Sequence, residues 1–89
     1  MAFLIDCIMT GYEVRGITSG TSKKGNPYRV IRVESPDGRT AEISCTAPEL
    51  MDSVDSLRKT QVCNFYVRAV SGRERSYISL TALPVIVEG

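Results

Sequence analysis

Apolar residues fall at every second position through most of this chain. Ile31 and Val33, Ala41, Ile43 and Cys45, then Cys63, Phe65, Val67 and Ala69, and finally Ile78, Leu80 and Ala82 each form a run with period two. Side chains alternate faces along a strand, so this period marks strands with one buried face. The pattern predicts strands over residues 27–34, 40–45, 61–70 and 76–83. Ser35-Pro36-Asp37-Gly38 predicts a tight turn, because Pro presets its own φ, Asp caps locally and Gly accepts positive φ. Register follows from matching apolar positions across that turn. Ile31 should oppose Ile43, Val33 should oppose Ala41, and Arg32 should meet Glu42 on the other face, with Tyr28 near Thr46.

The period changes after residue 45. Leu50, Met51, Val54 and Leu57 recur at helical spacing. Thr46-Ala47-Pro48-Glu49 has the form of a capping box, with Thr46 accepting from the Glu49 N–H. Arg58 and Lys59 are expected to end the helix near its negative dipole end. Ahead of residue 27 the phase is mixed. Tyr12 and Val14 share one phase and Ile17 takes the other, so Gly16 marks a bulge or bend. Residues 2–9 either extend this first strand or form a separate edge strand. Pro84 is expected to disrupt the ladder near the end of the fifth strand.

The resulting order is strand, strand, strand, helix, strand, strand. It predicts an all-β domain spanning residues 1–89, a five-stranded OB-fold-like barrel with a small helix between strands 3 and 4. An SH3-like barrel is the nearest rival, but it leaves no place for a mid-chain helix of about eleven residues.

Composition narrows the chemistry. A hydrophobic share of 43% with 24% charged residues fits a folded soluble protein. There is no histidine, which excludes a Ser-His or Cys-His nucleophile, and no carboxylates converge in sequence, so no enzyme is expected. Cys7, Cys45 and Cys63 are odd in number and widely spaced, and read as buried reduced thiols in strands rather than a disulfide framework or zinc site. No metal or cofactor is expected. No apolar run reaches the roughly 20 residues of a membrane span. The opening AFLIDCIM is interrupted by Asp6 and follows no cation, so it makes a poor signal peptide and a cytoplasmic location is expected.

Charge is concentrated rather than general. The net charge is only +1, yet residues 15–33 carry Arg15, Lys23, Lys24, Arg29 and Arg32 with no acid among them. An acidic block follows from Glu34 to Asp55, relieved only by Arg39, and then a basic one with Arg58, Lys59, Arg68, Arg73 and Arg75. Cations around Tyr28 on a glycine-punctuated hairpin suit a single nucleic-acid strand, with lysine and arginine meeting phosphates and a ring stacking on a base. Arg15, Lys23, Lys24 and Arg32 are the candidate phosphate contacts, and Tyr28 the candidate stacking ring. Tyr66, Arg68 and Tyr77 form a second outward group that extends this face or meets a partner subunit. Arg73 and Arg75 lie at a hairpin tip placed to close over a strand. Each has an ordinary alternative: a solvated turn for the lysines, cross-strand packing for Tyr28, an ion pair with Glu42 for Arg32, an amphipathic sheet surface for Tyr66 and Arg68, and a soluble tip for Arg73 and Arg75.

The segment KKGNPYRV resembles the Gly-x-Pro-Tyr hairpin of the small single-stranded DNA-binding proteins of filamentous phages, whose relatives occur in plasmids and conjugative elements. Gly25, Pro27 and Tyr28 match that motif, and Asn26 stands where a cation is often found. The resemblance implies an OB-type barrel, a homodimer, and cooperative coating of single strands during replication or transfer of a phage or mobile element, with Tyr28 as the stacking ring. Single-stranded RNA as the ligand, or a protein-interaction subunit of a replication or conjugation assembly, stay open as alternatives.

Overall fold

The computed structural model describes residues 3–71 and 76–87. Elements follow in the order β1 (Phe3–Thr21), β2 (Pro27–Glu34), β3 (Thr40–Cys45), α1 (Pro48–Asp55), β4 (Val62–Ser71), β5 (Ser76–Leu80) and β6 (Val85–Ile86). The strands hydrogen-bond in the order β1-β2-β3-β5-β4-β6, and β1 returns to pair with β4. Five strands therefore close into a barrel, with β6 as a short addition to β4. β3 and β5 meet in parallel at Ser44↔Ser79, and the other ladders are antiparallel. This connectivity, with the helix between β3 and β4, is an OB-type barrel.

Closure depends on β1 serving both edges. Its second half pairs with β2, from Glu13↔Glu34 to Thr21↔Pro27, and its first half with β4, beginning at Phe3↔Ser71. Residues 3–9 thus extend the first strand. Register shifts fall between Val14 and Gly16, where the phase change sits, and between Met9 and Tyr12, where Gly11 takes φ +71°. Such bulges increase local twist, which lets one strand wrap from one edge to the other.

The core is the period-two set seen in the sequence. Ile31, Ile43, Val33, Cys45, Cys63, Phe65 and Val67 are buried on the inner face. The β2–β3 register runs Ile31↔Ile43, Val33↔Ala41 and Arg32↔Glu42, as matching the apolar positions requires. From α1, Leu50, Met51 and Val54 join this core, and Leu57 packs against it from beyond the helix. Phe65 is fully buried. Truncating such a ring to alanine costs about 3–5 kcal/mol.

The helix departs from expectation at both ends. It covers eight residues. Its N-cap is Ala47, with no side-chain cap bond, so the expected Thr46–Glu49 box does not form. Pro48 at the first helical turn disfavours helical backbone at the preceding residue, and Ala47 accordingly sits at φ −83°, ψ 113°. At the other end the Thr60 N–H donates to the Val14 carbonyl and the Val14 N–H to Gln61, each at 2.8 Å. That pairing with β1 pulls the chain out of the helix, and Arg58 and Lys59 lie past its end. β5 ends at Leu80, and the Thr81 N–H adds one more bond in the same register, to the Tyr66 carbonyl at 2.9 Å. After Pro84 the chain regains β4 through Cys63↔Ile86 and Asn64↔Val85.

The three thiols do not share one environment. Cys45 and Cys63 are buried, and burial pushes both above the ordinary thiol value of 9.0. Cys7 is exposed, contrary to the expectation of three buried thiols. Among the described residues it lies where β1 pairs with β4 alone, and two residues further on Met9 reaches the core.

Candidate nucleic-acid interface

The outward phase of β2 carries Tyr28, Val30 and Arg32. Neighbouring strands complete the surface around them: Gly20 opposes Tyr28, Thr18 and Ser44 flank Val30, and Gly16 and Glu42 flank Arg32. From Tyr28 to Arg32 this row spans about 13 Å at the usual strand rise.

Tyr28 is half-buried, and its ring lies across Gly20 of β1. A Cβ on residue 20 would stand 2.5 Å from the tyrosine Oη and 2.6 Å from Cζ, a separation real Cβ atoms do not show. Only glycine admits the ring there. The ring is thereby backed by the β1 backbone, while it also lines a cleft of about 280 Å³ with Ser22, Asn26, Pro27, Thr46 and Pro48.

The loop leading to Tyr28 is a hydrogen-bonded turn. β1 runs to Thr21, so the connection is only residues 22–26. The Gly25 N–H donates to the Ser22 carbonyl at 2.9 Å, the Ser22 N–H to the Asn26 carbonyl at 2.8 Å, and the Asn26 N–H to Ser22 Oγ at 3.1 Å. Gly25 takes φ +87°, a conformation side chains disfavour. Lys23 and Lys24 occupy the two corners of this turn, exposed and without an ion pair among the described residues. Ser35-Pro36-Asp37-Gly38-Arg39 repeats the turn at the far end of β2, with equivalent bonds from Ser35, Gly38 and Arg39, a Ser35–Asp37 side-chain bond, and φ +88° at Gly38.

The other cations sit differently. Arg32 lies on the same face as Tyr28, 3.9 Å from Glu42, with both side chains about two-thirds exposed. An exposed pair of this kind is worth little in water and leaves the guanidinium open to a phosphate. Arg15 is the residue in the β1 bulge, 2.7 Å from Glu13 and 3.7 Å from Glu34. Glu34 is six residues along β2 from Tyr28, about 20 Å away at strand rise. The 420 Å³ cleft at that end is lined by Glu13 and Glu34, a poor seat for a polyanion. Arg29, of the inward phase, emerges at the strand end and grips Asp55 of α1 through two bonds, Nε–Oδ1 at 2.8 Å and Nη2–Oδ2 at 3.1 Å.

Tyr66, Tyr77 and Arg68 form a separate surface on β4 and β5. Both rings are exposed, and Arg68 is bound to Asp6 of β1 at 2.8 Å and 3.3 Å. The Arg68 guanidinium holds the Asp6 carboxyl below its ordinary 3.8, chiefly by hydrogen bonding. A row of cross-strand partners, Val30↔Ser44↔Ser79↔Arg68, links this surface to β2 around the outside of the barrel. Arg73 and Arg75 lie outside the described residues. Reasoning from sequence missed Gly20, Thr46 as a cleft residue, and the acids that hold Arg15 and Arg68. The Gly20 contact had a signal, since pairing Ile17 with Ile31 across the hairpin places Gly20 opposite Tyr28. Among the described residues no group of three or more His, Cys, Asp or Glu is placed to hold a metal, and no helix is long and apolar enough to cross a membrane.

No protein-family model and no curated protein matches the chain. Solved structures do. One crystal form of the mitochondrial single-stranded DNA-binding protein of S. cerevisiae superposes with a TM-score of 0.72 at 17% identity, covering 97% of both chains. A second form gives 0.61 at 20% identity over 88% of both chains. The likeness is one of fold. At this identity the side chains are mostly different, so the site is argued from this chain's own residues.

Proposed function

We propose that this protein binds single-stranded DNA without catalysis and largely without regard to sequence. The observation that carries the reading is Tyr28, held against Gly20 on the outer face of an OB-type barrel, next to a turn that presents two exposed lysines with no ion pair among the described residues. The lysines and Arg32 meet phosphates, and the ring stacks on a base. Tyr66 and Arg68 continue the path around the barrel, and Arg15 contributes only if phosphate displaces Glu13. The fold shared with a mitochondrial single-stranded DNA-binding protein supports the same ligand class. The Gly-x-Pro-Tyr hairpin supports the finer reading, a coat protein for strands exposed in replication or transfer of a phage or mobile element.

The chain acts as a homodimer in this reading. Among the described residues, residues 3–9 of β1 pair with β4 alone, and Leu4, Ile5 and Ile8 there are more than half exposed. An apolar edge of this kind invites pairing with another strand. A second copy related by a twofold axis supplies the same strand in antiparallel orientation.

Fluorescence polarisation with a labelled oligo-dT at two salt concentrations tests the binding. Affinity should fall with salt by about 0.7 log units per phosphate contact per tenfold change in salt. Replacing Lys23 and Lys24 by alanine should flatten that slope by about 0.7 for each lysine removed. Full binding by a Lys23→Ala, Lys24→Ala, Tyr28→Ala variant would remove the site.

A further inference from the structure

We infer that the cleft beside Tyr28 is a pocket for one nucleobase, and that Asn26 reads the edge of that base; the inference rests on the single-stranded DNA reading above. The six residues lining the cleft, Ser22, Asn26, Pro27, Tyr28, Thr46 and Pro48, are all uncharged. A phosphate would find no cation inside it, whereas Lys23 and Lys24 wait just outside on the same turn. The cleft's 280 Å³ is just below the roughly 300–1,000 Å³ that encloses a drug-sized ligand, so it suits a single flat ring. Flat walls are what it offers: one aromatic ring and two prolines.

Its polar groups are few and fixed. The Asn26 backbone is tied at both ends to Ser22, through its N–H and its carbonyl, so the root of its side chain is held. The Asn26 amide has no intramolecular partner among the described residues, and neither has the Thr46 hydroxyl. An amide presents a donor beside an acceptor. That pairing complements a base edge carrying an acceptor beside a donor, and adenine, with N7 next to the N6 amino group, is the edge asparagine grips best. A lysine at this position would add a phosphate contact and no discrimination. The amide at residue 26 therefore makes one position of the bound strand selective while the rest stays permissive.

The test uses dT oligonucleotides carrying one dA, dC or dG at the centre, together with the all-dT parent. These are titrated against wild type, Asn26→Ala and Lys24→Ala. Wild type should favour the dA-containing strand about fivefold or more, the low end of what a bidentate contact supplies. Asn26→Ala should lose that preference and keep the wild-type salt dependence. Lys24→Ala should do the reverse, keeping the preference with a flatter salt dependence. Equal binding of all four strands by wild type overturns the pocket while leaving the interface standing, as does a preference that Asn26→Ala leaves unmoved. Absence of binding to any strand at low salt overturns the interface itself, and the pocket with it.

Discussion

A single added methyl at residue 20 would drive the Tyr28 ring off β1. Gly20→Ala should therefore cost binding on the scale of one stacked base, about 1–3 kcal/mol, with no change in the lysines. The substitution lies on the outer face, so the core and the circular dichroism spectrum should be unaffected. Tyr28→Phe keeps the ring and should bind close to wild type, which separates stacking from any role of the hydroxyl. Oligonucleotide titration of both variants checks this, and wild-type affinity in Gly20→Ala would show that the ring's seat on β1 is immaterial. At this scale the sequence was legible in part. The outward phase of Tyr28 follows from the spacing of apolar residues, whereas its seat on Gly20 was missed. Which acid claims Arg68 does not follow, because Asp6 reaches it through the β1–β4 ladder, which spacing leaves undetermined.

Among the elements, α1 is fixed to β2 by Arg29 and Asp55. Hydrogen bonding from Arg29 is the main reason the Asp55 carboxyl sits below its ordinary 3.8. Asp6 is depressed in the same way by Arg68. A depressed folded-state value means that the unfolded chain takes up protons first as pH falls. The stabilisation is fully present above the unfolded value and fades as pH drops through the folded one. Urea midpoints should thus be level from pH 7 to about 5 and decline below about 4. Asp55→Asn should lower the midpoint at pH 7 and soften the acid decline; an unchanged midpoint and an unchanged decline would show the clamp to be inert. The helix also shows where local rules give way. Its apolar stripe was visible in the sequence, but its cap was set by Pro48 and its end by hydrogen bonds to Val14, partners that lie outside the segment.

For the molecule as a whole, net charge of +1 offers little long-range attraction to a polyanion, so affinity must come from close contacts along β2 and from assembly. Assembly is tested at the free edge of β1. A lysine on an exposed edge strand opposes pairing, and Ile5 is exposed enough to accept one without harm to the core. Ile5→Lys should sediment at the monomer mass where wild type sediments at twice that, and a dimeric variant or a monomeric wild type would rule out this interface. The strand order and the helix position were readable from period and turn chemistry. The closing ladder was not, since the first ten residues are apolar in both phases.

That ladder has a temporal consequence. The hairpin of β1 and β2 joins near neighbours and can form as soon as residue 34 has left the ribosome. Its other half must wait, because Phe3 meets Ser71 and Leu4 meets Val70 across almost the whole chain. Contacts so distant in sequence are slow to find. Until β4 has been made, the apolar residues Leu4, Ile5 and Ile8 therefore stay without their ladder partners and exposed to other chains.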